Sequence, residues 1–302
     1  MPELPEVETV RRILHPGIVG QAIQGVTLGT FEEVIGSTIE GVDPAASLVG
    51  QTFTDTRRRG KYLILQLDGG LFLIVHLRMT GRLLLVPTED PPVRFEYIAI
   101  HLGNGLDIRF GDQRKFGRLI LSTPDDVARL DRKLGPDPFA SSLKAGSLHD
   151  VLARRPGRIK NALLDQTVIA GLGNIYVDEA LYRARIHPLR PSNSLTIEEL
   201  KRVLQAVRVV LNQSLERKGT TFSTFENPYG EPGTNASFLR AYGRSANGGL
   251  CLRCGIPMER IVVGGRGTTF CPRCQVYRLP SEELQAPEAQ SNSSRLPNGS
   301  VV

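Results

Sequence analysis

The first stretch of the chain has the hydrophobic period of an amphipathic helix. In residues 3–15 the apolar side chains of Val7, Val10 and Leu14 fall on one stripe, acids come first and basic residues come last. That order of charges suits the dipole of a helix. We predict a short helix that ends at Pro16, where a Pro-Gly pair interrupts the pattern.

From residue 26 to residue 121 the hydrophobic pattern changes to short runs that are typical of strands. The segment "KYLILQLDGGLFLIVHL" contains two such runs about Gly69-Gly70, and "YIAIHLGNGLDIRF" contains two more about Asn104-Gly105. Pairs of this kind favour tight hairpin turns. We predict an antiparallel sandwich or barrel with the N-terminal helix packed against it.

The C-terminal half of the chain has a helical pattern. After "KLGPDPFASS" (133–142), which has the composition of a linker, helical periodicity is found near 146–154, 159–168, 175–186 and 196–217. The glycine-rich "AGLGN" (170–174) leads into the third of these helices, where backbone amides favour an anion such as a phosphate. After Arg278 the chain has little to bury, so we predict a disordered tail.

Composition limits the class of protein. With 40% apolar and 23% charged residues, the chain is globular in composition, and 302 residues favour two domains. No apolar run reaches the roughly 18 residues of a membrane span, and the N-terminus lacks the pattern of a signal peptide. We expect a cytoplasmic protein that acts as a monomer and has no membrane partner.

The positive charge of the chain is clustered. A net charge of +6 is a weak signal alone, and it is compatible with a merely basic surface. However, the runs "RRRGK" (57–61), "RKFGR" (114–118) and "RRPGRIK" (154–160) each contain a glycine. Cations at such positions belong to turns or element ends, which indicates a polyanionic partner such as nucleic acid.

All four cysteines lie in one short segment. Cys251, Cys254, Cys271 and Cys274 form two C-x2-C pairs separated by sixteen residues, a spacing typical of zinc sites, whereas a redox site would need only one pair. Four thiolates fill a tetrahedral shell, so we predict one structural Zn2+ that takes no part in chemistry. The cysteines would close a hairpin whose "GGRG" turn (264–267) has Arg266 at its tip.

The N-terminus offers an unusual nucleophile. Initiator methionine is normally removed before proline, which would leave Pro2 with a free secondary amine. An α-amino group with a pKa of about 8 is unprotonated far more often at neutral pH than a lysine is. It can therefore attack an electrophilic carbon and form an iminium adduct, with Glu3 as the general acid or base. The alternative is a simple helix start, but Pro5 suffices for that.

Several motifs together resemble one family. The strings "MPELPEVETV", "RRRGKYL", "HLRMTGRL", "DQRKFGRL", "LLDQTVIAGLGNIYVDEAL", "YGR" and "RGTTFCPRCQ" are similar, in order and over residues 1–275, to the bacterial formamidopyrimidine-DNA glycosylases. These enzymes excise oxidised purines such as 8-oxoguanine and then cleave the strand. The resemblance implies an α+β fold, with an N-terminal antiparallel β-sandwich, an N-terminal helix, and a helix-two-turn-helix domain ending in a zinc-bound β-hairpin.

The resemblance also implies a division into parts. These are a catalytic sandwich domain (1–132), a linker (133–145), a helix-two-turn-helix domain (146–240) with a lesion-capping loop near 219–235, a zinc finger (241–275) and the tail (276–302).

Catalytic roles follow from the same resemblance. Pro2 would attack the anomeric carbon of the damaged nucleotide. Glu3 would protonate the sugar ring oxygen, and Glu6 would assist. Lys61 would serve base release and β-elimination, while Arg266 would grip the phosphates at the lesion and support δ-elimination. The partner would be damaged double-stranded DNA, with no small-molecule cofactor beyond zinc.

The family's DNA contacts match five further residues. Met79, Arg114 and Phe116 match the trio that fills the space left when a nucleotide is turned out of the duplex. Asn174 and Lys160 match contacts to phosphate. The ordinary alternatives for Met79, Arg114 and Phe116 are a core methionine, a solvated arginine and a packed phenylalanine.

One stretch departs from the family pattern. Many members have a His-x-His pair where this chain reads "RFEYIAI", so that Phe95 and Tyr97 replace the histidines. We predict that Arg94 supplies the missing phosphate contact.

Two other functions remain open at this point. The endonuclease VIII type of the same superfamily prefers oxidised pyrimidines, but it usually begins "PEGPE" where this chain has "PELPE". A non-catalytic zinc-ribbon protein would bind DNA without turnover, and an untrimmed Met1 would not affect it.

Overall fold

The computed structural model describes residues 1–278, and residues 279–302, which form most of the predicted tail, lie outside the described part. Eleven strands and seven α-helices are found in residues 1–278. In chain order they are α1 (Leu4–Ile18), β1 (Ile23–Leu28), β2 (Ile35–Ser37), α2 (Pro44–Leu48), β3 (Phe53–Arg59), β4 (Tyr62–Leu67), β5 (Phe72–His76), β6 (Gly81–Pro87), β7 (Glu96–Leu102), β8 (Leu106–Asp112), β9 (Arg118–Ser122), α3 (Pro124–Lys133), α4 (Ala145–Ala153), α5 (Ile159–Leu164), α6 (Asn174–Ala184), α7 (Ile197–Glu216), β10 (Glu259–Val263) and β11 (Arg266–Phe270).

The N-terminal half consists of two sheets that share one apolar core with α1. The four-stranded sheet has the order β1-β7-β8-β6, and the five-stranded sheet has the order β2-β9-β5-β4-β3. All pairs are antiparallel except β2 with β9. Val10, Val75 and Phe110 represent the three parts of the core, each at most 1% exposed. The predicted hairpins are confirmed, with Gly70 and Gly105 at positive φ.

Helix α1 is longer than the sequence pattern predicts. The expectation that Pro16 ends it is wrong, because the helix continues to Ile18. A proline in the last turn removes a single N–H donor, and the N–H of Val19 still bonds to the carbonyl of His15 at 3.1 Å. Gly17 also lies close against Leu85 of β6, so the extra turn is held by packing on the sheet.

Helices α2 and α3 were missed by the hydrophobic pattern, since both are short. Their signals are local caps. The carboxylate of Asp43 accepts the N–H of Ala45 at 2.9 Å, and Thr123 forms a capping box with Asp126. In both helices a proline follows the N-cap residue, the position where proline is favoured.

The C-terminal half confirms the four predicted helices as α4 to α7, with α5 ending early at Leu164. They surround a second apolar core that contains Tyr176 and Val207. Leu4 of α1 belongs to this core, whereas the apolar side chains of Val7, Val10, Leu14 and Ile18 of α1 belong to the core of the sheets. The first turn of the chain is therefore fixed between the two halves of the molecule. No helix among residues 1–278 is both long and apolar enough to cross a membrane.

Strands β10 and β11 form the hairpin predicted from the cysteine segment. Its turn is Gly264-Gly265, and both residues have positive φ (56° and 73°), as a two-residue hairpin turn requires. Arg266 is the first residue of β11 and pairs with Val263. It thus lies beside the turn rather than at its tip.

Candidate active site

Glu3 lies at the junction of α1 and the glycine-rich turn before α6. Its side chain is 2% exposed, and Oε1 accepts the N–H of Ile175 at 3.0 Å. A Cβ on Gly173 would lie 2.3 Å from Glu3 Cδ, so only glycine permits this approach. Oε2 has no hydrogen-bond partner among the described residues. Burial raises the pKa of Glu3 to about 7, against the opposing charge of Lys61.

Glu6 forms a buried network beside Glu3. Its Oε2 accepts the N–H of Glu3 at 2.8 Å. Its Oε1 accepts the hydroxyl of Tyr176 and, at 2.8 Å, the N–H of Thr220. Burial raises the pKa of Glu6, while these hydrogen bonds lower it. Glu6 therefore joins α1 to α6 and to the start of the loop after α7.

Lys61 enters the same site from the turn between β3 and β4. It is 7% exposed, and it follows Gly60, which has a φ of 57° and lies against Ala170. Burial lowers the pKa of Lys61, the charge of Glu3 opposes that effect, and the charge of Arg266 lowers the pKa further. An amine of this kind gives up its proton more readily than a surface lysine.

The hairpin β10–β11 packs on α5 and α6, and these contacts determine where Arg266 lies. The Nδ2 of Asn174 donates to the carbonyl of Gly267 at 3.0 Å. The Nζ of Lys160 lies 3.4 Å from the same carbonyl and 2.6 Å from Asp178 Oδ1. Arg266 itself is exposed. The structure therefore presents Arg266 on the surface but encloses Lys160 completely, at 0% exposure.

An open cleft of about 480 Å³ lies beside Asn174. Tyr242 and Arg260 are among the residues that line it, and the Oδ1 of Asn174 is buried without a partner in the described part of the chain. The N–H of Gly171 is bonded to Gln166 Oε1 at 2.9 Å. That amide of the "AGLGN" turn is therefore already occupied by a side chain.

Met79, Arg114 and Phe116 occupy two adjacent turns of the sandwich. Met79 is 40% and Phe116 is 51% exposed, so neither is a core residue. The guanidinium of Arg114 lies over the ring of Phe116 at 4.9 Å. Asp112, which sequence reasoning missed, is 1% exposed and accepts the N–H groups of Arg114, Phe116 and Gly117 at 2.7 to 3.1 Å.

The stretch that departs from the family pattern presents one cation. Arg94 is exposed, and its guanidinium lies over the ring of Phe95 at 4.6 Å. Phe95 has a φ of 60°, a conformation that non-glycine residues rarely adopt. Tyr97 is 6% exposed and meets Phe31 edge-on at 5.4 Å. Of the two aromatic residues, only Phe95 is on the surface.

His76 is a second residue that sequence reasoning missed, although it opens the "HLRMTGRL" motif. Burial, with the charges of Arg78 and Lys61, lowers the pKa of His76 to about 4. Its Nδ1 accepts the N–H of Arg78 at 3.0 Å. The neutral ring must then carry its proton on Nε2, which makes that edge a hydrogen-bond donor beside Lys61.

The loop after α7 (219–235) crosses from the helical half to the sandwich. Glu226 pairs with Arg82 at 2.7 Å, and the carbonyl of Pro228 accepts the N–H of Leu85 at 2.8 Å. Phe225 is 6% exposed and belongs to the core of the sandwich. These contacts place the loop over the edge of the sheet.

The four cysteines are gathered as a metal site requires. The Sγ atoms of Cys251, Cys254, Cys271 and Cys274 all lie within 4.8 Å of one another. Cys254 and Cys271 are 3.4 Å apart and Cys251 and Cys274 are 3.9 Å apart at Sγ, near the edge length of a tetrahedron with Zn–S bonds of about 2.3 Å. The donor set fits one structural Zn2+, as predicted, and these thiolates would hold it with no position left for substrate.

Comparison with known proteins gives three domain matches in order. Residues 1–119 match the "Formamidopyrimidine-DNA glycosylase N-terminal domain", residues 134–226 match the "Formamidopyrimidine-DNA glycosylase H2TH domain", and residues 248–276 match the "Zinc finger found in FPG and IleRS".

Whole proteins match as well. The Formamidopyrimidine-DNA glycosylase of Herpetosiphon aurantiacus is 43% identical over 275 residues, which is 91% of this chain and 100% of that relative. The enzyme of the same name from Streptococcus pneumoniae is 41% identical over 277 residues, covering 91% of this chain and 99% of the relative.

Solved structures show the same fold. Wild-type Lactococcus lactis Fpg bound to DNA containing N7-benzyl-Fapy-dG has a TM-score of 0.83 and 35% identity, over 91% of this chain and 100% of that one. MutM bound to DNA containing carbocyclic 8-oxo-G gives 0.82 and 35% over the same shares. The identity, the coverage and the order of the domains lead to one conclusion: this chain belongs to the formamidopyrimidine-DNA glycosylase family.

Proposed function

We propose that this chain excises oxidised purines, 8-oxoguanine and formamidopyrimidines, from double-stranded DNA and then cleaves the strand at the site of the lost base. The observation that carries the proposal is the state of Glu3. A carboxyl with a pKa of about 7 and an Oε2 without a partner among residues 1–278 adjoins Pro2 and lies near the charge of Lys61, which in turn lies near the charge of Arg266. Such a group can donate a proton at neutral pH.

The first step uses the N-terminus. Once Met1 is removed, the lone pair of the Pro2 nitrogen attacks C1′ of the everted nucleotide. Glu3 protonates the ring oxygen and the sugar opens. The base leaves with the electron pair of its bond to C1′ and takes up the proton that the Pro2 nitrogen loses. The product is an iminium ion between Pro2 and C1′. Glu6 fixes Glu3 through the bond to its N–H.

Strand cleavage follows from the iminium ion, which acts as an electron sink. Loss of a proton from C2′ breaks the C3′–O bond and releases the 3′ phosphate in β-elimination. Loss of a proton from C4′ then breaks the C5′–O bond and releases the 5′ phosphate in δ-elimination. Lys61, whose pKa is lowered by burial, is suited to carry protons in these steps. Arg266 holds the phosphates that leave.

DNA is held by two sets of residues. Met79, Arg114 and Phe116 enter the space left by the everted nucleotide, since all three project from turns on one edge of the sandwich. Phosphates lie against Asn174 and against an exposed Arg94. Lys160 is fully buried, so it contributes through its contact with the carbonyl of Gly267 and not by direct contact with a phosphate.

We also propose the division of the chain at residues 132, 145, 240 and 275, with the loop 219–235 capping the everted base. The three domain matches support this division. We further propose that the chain acts as a monomer, and the bacterial sources of the relatives support a bacterial cytoplasmic location.

The substrate is tested by comparing duplexes that contain 8-oxoguanine, thymine glycol or no damage, under single-turnover conditions. We expect excision of 8-oxoguanine to be the fastest. Faster excision of thymine glycol would favour the endonuclease VIII type. Tight binding to both lesions without release of either base would favour a DNA-binding protein that lacks catalysis.

A further inference from the structure

One face of α6 contacts strand β11 at two points and the cysteine site at a third. Asn174, Asp178 and Tyr182 are spaced by four residues, so they follow one another along one side of the helix. Asn174 bonds to the carbonyl of Gly267 at 3.0 Å, Asp178 Oδ2 accepts the N–H of Thr269 at 3.1 Å, and the hydroxyl of Tyr182 lies 3.3 Å from the Sγ of Cys251.

Asp178 is the central and most buried of these contacts, at 2% exposure. Its Oδ1 binds Lys160 at 2.6 Å, and the same ammonium reaches the carbonyl of Gly267. The ion pair therefore grips the backbone of β11 at both Gly267 and Thr269, immediately after Arg266. Hydrogen bonds to charged groups in a buried site are strong and hold a fixed geometry.

Arg266 depends on this backbone for its position. Among the side-chain hydrogen bonds within residues 1–278, none is made by its guanidinium, and the two residues before it are glycines. Its Cα is fixed by the ladder with Val263 and by the grip on the residues that follow it.

We propose that Asp178, paired with Lys160, is a positioning residue for Arg266 in strand cleavage. The pair fixes the position of β11 relative to α6. It thereby determines the distance from Arg266 to the phosphates that leave. This inference rests on the proposed function, because it assigns to Arg266 the phosphates of the elimination steps.

The test is Asp178→Asn in the full-length, zinc-loaded protein. Lys160 and Thr269 bind different oxygens of Asp178. In asparagine one of these two positions is an NH2 group, which cannot accept, so one of the two bonds is lost. The readout is the ratio of δ- to β-elimination products on an 8-oxoguanine duplex in single turnover. We expect this ratio to fall at least about tenfold, since small displacements of a catalytic group have effects of that size.

The matched control is Glu199→Gln. Glu199 and Arg190 form a largely buried pair (12% and 7% exposed), at 2.9 and 3.0 Å, in the same half of the molecule. The control should leave the ratio unchanged. An unchanged ratio in folded Asp178→Asn protein, or an equal fall in the control, would overturn the inference.

A second variant covers the case in which Asp178→Asn does not fold. Lys160→Met combined with Asp178→Leu removes both buried charges together, which avoids an unpaired charge. The ratio should fall as before, and a normal ratio would overturn the inference. Failure of the proposed function is separate, because the wild-type protein would then give neither excision nor any elimination product.

Discussion

At the scale of single residues, the buried carboxyl of Glu3 lowers the stability of the folded protein when it is ionised. Its carboxyl is fully enclosed, and one oxygen has no partner in the described structure. The folded-state pKa of about 7 exceeds the ordinary value of 4.5 because burial disfavours the charge. Between these values the folded state binds more protons than the unfolded state, so rising pH lowers the stability of the fold.

Glu3→Gln should therefore stabilise the protein at pH 8. We expect a gain in the free energy of unfolding of at most about 3 kcal/mol, which disappears as the pH falls to 4.5. Urea unfolding at both pH values measures it, with Glu33→Gln, at an exposed position, as the control. No gain at pH 8 would mean that Glu3 is ionised in the fold at little cost.

Phe116 allows a separate test of a side chain whose only role would be on DNA. Because it is 51% exposed, Phe116→Ala should change stability by less than about 0.5 kcal/mol. Excision should slow about tenfold, since the wedge that offsets the cost of everting the nucleotide is lost. Phe139→Ala, at another exposed phenylalanine (39%), is the control. Equal excision by the two variants would contradict the role of Phe116.

At the scale of elements, the turn before α6 acts through contact with the N-terminus. Gly173 has an ordinary extended φ of −135°, so a side chain is excluded by the position of Glu3 and not by backbone strain. A Cβ at this position would have to displace the carboxyl of Glu3, 2.3 Å away.

Gly173→Ala should thus lower the rate of base excision at least about a hundredfold. Gly146→Ala is the matched control, because a Cβ there meets no atom within 4 Å and the residue lies in α4. The rate constant of base excision by each variant, measured in quenched single-turnover reactions, shows the effect. Similar rates for the two would show that Glu3 does not need its present position.

Features that depend on residues close together in the chain could be predicted from the sequence, and contacts between distant residues could not. Hairpins at Gly70 and Gly105 and the four-cysteine site could be predicted, because each depends on residues close together in the chain. The family motifs pointed to Glu3, but its bond to Ile175 joins residues far apart in sequence. The burial of Lys160 could not be predicted from local sequence patterns either, because its charge is paired with Asp178 on another helix.

At the scale of the whole molecule, the zinc finger and α1 approach the site from opposite ends of the chain. Removing the metal should release the hairpin, because the four cysteines would then take up protons and no longer be joined through one ion. We expect one zinc per chain in the native protein, measured with a colorimetric chelator. After removal, affinity for the lesion duplex should fall at least about tenfold. The far-ultraviolet circular dichroism spectrum should still show the strands of a folded sandwich. Unchanged affinity would separate the zinc site from DNA binding.

The most direct measurement on the whole enzyme is borohydride trapping on an 8-oxoguanine duplex. The native protein is compared with Pro2→Gly and with protein whose Met1 is retained. If the Pro2 amine is the nucleophile, a covalent protein–DNA adduct forms with the native protein, is strongly reduced with Pro2→Gly, and is absent when Met1 blocks the amine. An adduct of equal yield with the blocked protein would place the nucleophile on another residue.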